Sequence, residues 1–195
     1  MSEVKLFQGN YIECYMLENS IAEVNFSAKN ATVNKFNQAT LDELSNVIKV
    51  IRSNKTLKGV LFSSSKEVFI VGADIMEFSS LFMLPKKDLE TWLKSTHKIF
   101  NEIEDLAIPT VMAINGICLG GGFEVALSAS YRVVSTKAVL GLPETKLGIY
   151  PGWGGTIRLP RLIGADNAIE WIASGKSYRP DEALKAGCVD SVVDP

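Results

Sequence analysis

The run Ile117-Cys118-Leu119-Gly120-Gly121-Gly122-Phe123-Glu124, followed further along by Leu142-Pro143-Glu144, sets two carboxylates beside a glycine-rich turn. Between Leu106 and Tyr131, Glu124 is the only Asp, Glu, Lys or Arg. A carboxylate in such surroundings costs several kcal/mol unless it is hydrogen-bonded or kept protonated. Glu124 has an ordinary reason to be there, since an acid in a first helical turn suits the helix dipole. Glu144, after Pro143 in an apolar run, has no such reason. Chemistry accounts for both. Glycine lets a backbone N–H at a helix start approach a ligand, where it stabilises a developing enolate oxygen by about 3 to 4 kcal/mol. Two carboxylates on one substrate can divide general base and general acid work, at about 100- to 10,000-fold per role. An oxyanion hole needs a second donor, and Gly72-Ala73, closing another apolar run, is the best placed.

These residues must be carried by strands and helices that the pattern locates. Tyr11 to Leu17 and Ile21 to Phe26 alternate apolar and polar residues across Glu18-Asn19-Ser20 and read as a hairpin. Thr40-Leu41-Asp42-Glu43 has the form of a capping box, and Leu41, Leu44, Val47, Ile48 and Ile51 recur at helical spacing to about Ser53. Lys58 to Ser64 and Val68 to Val71 are short β-rich runs. A long amphipathic helix opens at Pro85 and is bounded by Pro109. Thr110 to Ile114 is a strand, followed by the glycine turn and a helix over Phe123 to Ala129, then a strand over Tyr131 to Ser135. After a Pro-Gly-rich loop at 151–155 and a basic segment at 158–161 come helices over Asn167 to Ala173 and Pro180 to Ala186, and a last strand over Val189 to Val193. The alternation reads as α/β in one domain.

Composition narrows the classes. A chain of 195 residues suits one domain with a sizeable core. Twenty basic against 22 acidic residues leave a net charge of −2, and the basic residues are scattered, so no nucleic-acid surface is expected. Cys14, Cys118 and Cys188 are odd in number and far apart, indicating neither a disulfide framework nor a zinc site, and a reducing cytoplasm is the simplest home. Glu3 and Lys5 have no apolar run behind them, which argues against a secretory signal. Leu106 to Ala129 is apolar enough to pass a crude transmembrane test, but Pro109, Asn115, three glycines and Glu124 favour a buried strand, turn and helix.

Familiar motifs fail. Gly175-Lys176-Ser177 resembles the end of a P-loop, yet Glu170 stands where that motif needs glycine. The glycines at 120–122 and 152–155 do not fit a dinucleotide fingerprint. His97 is the only histidine, at the margin of the long helix's apolar face, and a packed helix residue is the plainer reading than a member of a serine triad.

Phe69-Ile70-Val71-Gly72-Ala73-Asp74-Ile75, Ile114-Asn115-Gly116 leading into Leu119 to Glu124, and Leu142-Pro143-Glu144 followed by Leu147-Gly148 and Pro151-Gly152-Trp153-Gly154-Gly155 together resemble the crotonase, or enoyl-CoA hydratase/isomerase, superfamily. Order and spacing match over almost the whole chain. Within it, Phe69 to Phe78, Leu142 to Gly148 and Arg158 to Asp166 are most similar to the N-terminal hydratase region of bacterial multifunctional fatty-acid oxidation α subunits. The resemblance implies an α/β spiral of β-β-α repeats with two sheets at a steep angle, here C-terminally truncated. Residues 1–195 would be the hydratase/isomerase domain of a longer chain, without its NAD-dependent dehydrogenase part.

By motif, the resemblance implies that Ala73 and Gly121 are the thioester-binding N–H donors, Glu124 and Glu144 the catalytic acids, and Gly152 a water-positioning glycine. It implies hydration of trans-2-enoyl-CoA to 3-hydroxyacyl-CoA in fatty-acid β-oxidation, with a secondary shift of a cis-3 double bond to trans-2. Coenzyme A arrives on the substrate, and neither metal nor redox cofactor is expected. The implied partners are acyl-CoA and, for the intact protein, a thiolase β subunit in a heteromeric complex in the bacterial cytoplasm. The truncated chain is expected to self-associate and to have weak or no activity. Rival readings are a decarboxylase, thioesterase or dehalogenase of the same fold, a serine hydrolase of related architecture, and a non-catalytic assembly module.

Overall fold

The computed structural model describes residues 4–195; Glu3, part of the N-terminal reading above, lies outside them. In chain order the elements are β1 (Val4–Gln8), β2 (Ile12–Met16), β3 (Ile21–Phe26), α1 (Gln38–Ser53), β4 (Gly59–Ser64), α2 (Phe78–Phe82), α3 (Lys86–Glu104), β5 (Thr110–Ile114), β6 (Ile117–Leu119), α4 (Gly121–Ala126), β7 (Tyr131–Ser135), β8 (Val139–Gly141), α5 (Gly155–Ile163), α6 (Ala165–Ser174), β9 (Ser177–Tyr178), α7 (Pro180–Lys185) and β10 (Ser191–Val193). Among the described residues, no helix is long and apolar enough to cross a membrane.

A seven-stranded sheet runs β1-β2-β3-β4-β5-β7-β10. Its first three strands are antiparallel and the rest pair in parallel. The parallel strands are joined through helices, as such crossovers require. β4 and β5 have alternate residues buried, and Phe62, Met112, Ile114 and Val134 join the core with the apolar stripes of α1 and α3. A second, three-stranded sheet, β6-β8-β9, carries the chemistry-bearing segments.

Three local differences from the sequence reading have clear causes. α1 begins at Gln38, not after Thr40, because Asn37 is its N-cap: Asn37 Oδ1 accepts from Thr40 N at 2.8 Å. That frees Glu43 for another task. Its carboxylate accepts from the backbone N–H groups of Asn10, Tyr11 and Ile12 at 2.8, 2.9 and 2.9 Å, tying α1 to the turn that opens β2. Glu43→Ala leaves those donors without their charged partner and is expected to lower unfolding free energy by about 3 kcal/mol, read from the denaturant midpoint. The run at 68–71 forms an isolated parallel bridge from Ile70 to Cys118 and donates from Val71 N to Asn34 O at 3.0 Å, but makes no strand of the main sheet. The basic segment at 158–161 lies inside α5 despite Pro160, because Leu159 and Ile163 are buried against the core.

Candidate active site

β6 and β8 lie side by side in parallel, with Leu119 opposite Gly141. Chains leaving two adjacent parallel strands emerge together, so Gly120 to Glu124 and Leu142 to Glu144 are neighbours although distant in sequence. Gly120 N donates to Gly141 O at 3.0 Å across this exit. The bridge from Ile70 to Cys118 brings a third exit, Val71-Gly72-Ala73, to the same place. The small sheet thus gathers three loops at its C-terminal edge, where open parallel sheets place their ligands.

The backbone donors follow from this arrangement. Ala73 pairs in parallel with Phe36 through Phe36 N to Gly72 O at 2.8 Å and Asp74 N to Phe36 O at 2.7 Å. That pattern turns the N–H of Ala73 itself to the opposite side. Gly121 is the first residue of α4, where N–H groups have no partner within the helix. It also meets a tight steric limit: a Cβ there would lie 2.3 and 2.5 Å from ring atoms of Trp153.

Glu124 and Glu144 are both buried, 2% and 8% exposed. Glu124 Oε1 accepts from the backbone N–H of Trp153 at 2.8 Å and of Gly155 at 2.9 Å, which anchors one oxygen and leaves Oε2 for chemistry. Burial, and then the charge of Glu144, push the Glu124 carboxyl up to about 8 despite those two donors and the charge of Arg158. Glu144 stands in a short helical turn, Pro143–Leu147, and burial raises its carboxyl to about 7. Glu144 Oε2 is buried without a hydrogen-bond partner among the described residues. Both values lie near neutral pH, the range in which a side chain can exchange protons with a bound molecule.

Gly72, Ala73, Gly120, Gly121, Glu124, Glu144 and Gly152 all line one cavity of about 480 Å³. All five residues singled out from sequence are therefore brought together. The rest of the lining is largely apolar, with Phe78, Leu81, Phe82, Leu89, Trp92 and Leu93 contributed by α2 and α3. Gly152 leaves room: a Cβ there would come no closer than 3.8 Å to Leu93. His97, on α3, also lines this cavity. Sequence reasoning missed the clamp on Glu124 by the 153–155 turn, and missed Trp153 as cavity wall. The only signal was the glycine density around Trp153. The three cysteines are buried and unpaired, and among the described residues no group of three His, Cys, Asp or Glu side chains is arranged to hold a metal ion.

Three strand exits bring two buried acids and the Ala73 and Gly121 backbones to one cavity of an α/β fold, and the chain belongs to the enoyl-CoA hydratase/isomerase family, whose profile matches residues 16–195. It is 56% identical over 190 residues to the fatty acid oxidation complex subunit alpha of Pseudomonas putida and 55% identical over 190 residues to that of Pseudomonas aeruginosa. In both cases 97% of this chain is covered, and the chain spans 27% of the relative's length. Among solved structures, enoyl-CoA hydratase from Bacillus anthracis superposes with a TM-score of 0.86 at 32% identity, covering 94% of this chain and 70% of that one. The enoyl-CoA hydratase of Thermoplasma volcanium gives 0.87 at 27% identity, covering 97% and 74%. The crotonase fold expected from the motifs is the fold observed.

Proposed function

We propose that this protein is an enoyl-CoA hydratase that adds water to trans-2-enoyl-CoA in fatty-acid β-oxidation. One observation carries the reading: two buried carboxylates raised to about 8 and about 7 stand on the wall of an apolar cavity that the Ala73 and Gly121 backbones also line. The thioester oxygen sits between the N–H groups of Ala73 and Gly121 and gains negative charge as water attacks C3. Glu124 Oε2 orients the water and takes its proton. Glu144 gives a proton to C2, completing 3-hydroxyacyl-CoA, and its unpartnered Oε2 suits a group waiting for substrate or water. Gly152 lines the water's side of the cavity. The apolar wall from α2 and α3 receives the acyl chain. With the same acids, removal of a proton from C2 and delivery of a proton to C4 shifts a cis-3 double bond to trans-2, a secondary activity.

Coenzyme A enters as part of the substrate, and the chemistry calls on no metal or redox group. Residues 1–195 act as the hydratase/isomerase domain of a longer multifunctional chain. The naming of the relatives as a subunit of a complex supports an assembly, with a thiolase β subunit as the partner and the cytoplasm as the compartment. Apolar side chains exposed near the cavity mouth, Met76, Met83 and Tyr150, support self-association of this segment on its own.

The test follows loss of the conjugated enoyl-thioester absorbance of a short trans-2-enoyl-CoA, with a thiol reagent present in a parallel assay. Absorbance loss without release of free thiol is the expected result. Thiol release would favour a thioesterase, and no change with the full-length protein would favour a non-catalytic module.

A further inference from the structure

We propose that Arg158 is a positioning residue: it holds the Trp153–Gly155 turn in the conformation whose two N–H groups clamp Glu124 Oε1. The inference rests on the hydratase reading for its kinetic consequences and on geometry for its substance. Arg158 is buried in the first turns of α5. Its guanidinium is used on all sides. Nε donates to Glu104 Oε2 at 2.8 Å, Nη2 donates to Asn101 Oδ1 at 2.6 Å and lies 2.8 Å from Glu104 Oε2, and Nη1 donates to the carbonyl of Trp153 at 3.2 Å.

The last bond fixes the peptide leaving Trp153, and the N–H groups on either side of it, those of Trp153 and Gly155, are the two that hold Glu124. Gly154, between them, is pressed against the same side chain. Its φ is +109°, and a Cβ there would fall 2.1 Å from Arg158 Nη1. The arginine thus takes the place of the side chain that the turn lacks. A planar fork that reaches three acceptors at once is something arginine supplies and lysine does not.

The chain of contacts runs from α3, through Arg158 and the turn, to the acid. Charged groups facing Glu124 are Glu144 from the turn after β8 and Arg158 from α5, and those facing Arg158 are Glu104 and Glu124. Losing the arginine removes a positive charge that favours ionised Glu124 and loosens both N–H donors, so both effects raise the pH at which Glu124 ionises.

Arg158→Gln and Arg158→Lys in the full-length protein decide the matter. With a short trans-2-enoyl-CoA, kcat is expected to fall about 10- to 100-fold with KM little changed. The limb of the pH profile set by Glu124 moves to higher pH in Arg158→Gln, and less in Arg158→Lys, which keeps the charge but not the fork. Glu104→Gln, at a half-exposed partner of the same fork, keeps an acceptor for Arg158 but removes a negative charge, so it moves the limb slightly to lower pH, opposite to Arg158→Gln, which a general loss of folding would not do. Infrared titration of the Glu124 carboxyl, located by subtracting Glu124→Gln, reads the same ionisation without turnover and is expected to show the same shifts. An unmoved Glu124 titration in folded Arg158→Gln and Glu104→Gln overturns the inference. A wild-type protein without hydratase activity overturns the functional reading alone, because the infrared result still stands or falls by itself.

Discussion

Glu144→Gln is expected to lower kcat for hydration of a short trans-2-enoyl-CoA about 100- to 10,000-fold while KM changes little, and Glu124→Gln to do the same. The two losses should not add in the double variant, because removing either acid already breaks the proton relay. The pair's values of about 8 and 7 make kcat/KM bell-shaped near neutral pH, with limbs that belong to the pair. Each single substitution should replace the bell by the single titration of the acid that remains. Stability moves the other way. The Glu124 carboxyl lies at about 8 in the fold against an ordinary 4.5, so folding favours its protonated form. That contribution is fully present below pH 4.5 and is lost as pH rises through about 8. Glu124→Gln keeps an oxygen for the two N–H donors and drops the ionisation. Its melting temperature should therefore exceed that of the wild type by a margin that grows across this window. A variant that is active, or a margin over the wild type that does not grow as pH rises from 4.5 to about 8, would argue against the assigned role and the assigned burial respectively.

Gly121→Ala is expected to cost about 1 to 3 kcal/mol of stability and about 100- to 1,000-fold in kcat. The methyl would fall 2.3 Å from the Trp153 ring. That ring cannot easily yield, since it packs edge-on against Phe36 and Phe100 at centroid distances of 6.0 and 5.9 Å and tilts against Trp92 at 5.7 Å. Its own backbone N–H holds Glu124. Displacing either partner therefore disturbs the oxyanion donor or the acid clamp. Removing the ring in Gly121→Ala/Trp153→Ala should recover part of the stability, measured by denaturant midpoint, though not full activity. Alanine keeps the backbone N–H, so an unchanged kcat in Gly121→Ala would overturn the expected clash with Trp153 as a disturbance of the site.

Much of this site was legible before any coordinates, for a physical reason. A buried carboxylate is expensive, so an acid in an apolar run advertises itself, and Glu124 and Glu144 did. Strands Thr110–Ile114 and Tyr131–Ser135 were read to the residue because apolar β-rich runs had clear breaks at each end. Helix α5 was missed because Pro160 and two arginines mask its period, and only burial of Leu159 and Ile163 restores it. The capping box at Thr40 to Glu43 misled because Asn37, three residues upstream, caps the helix earlier by accepting from Thr40 N, so Thr40 already lies inside it. The Glu124 clamp left only the glycine density around Trp153 as a trace, since residue types do not say which backbone donors of a loop will meet an acid. The acids could be named from sequence, but their partner atoms could not.

The tryptophans of this chain also divide its light. Trp92 and Trp153 face each other on the cavity wall, whereas Trp171, outside that lining, stacks on Tyr178 at 3.7 Å and 6°. Emission from the first pair is expected to answer to what fills the cavity, and emission from the third to whether α6 stays docked on β9. One unmodified chain thus carries separate optical signals for occupancy and for the integrity of its fold.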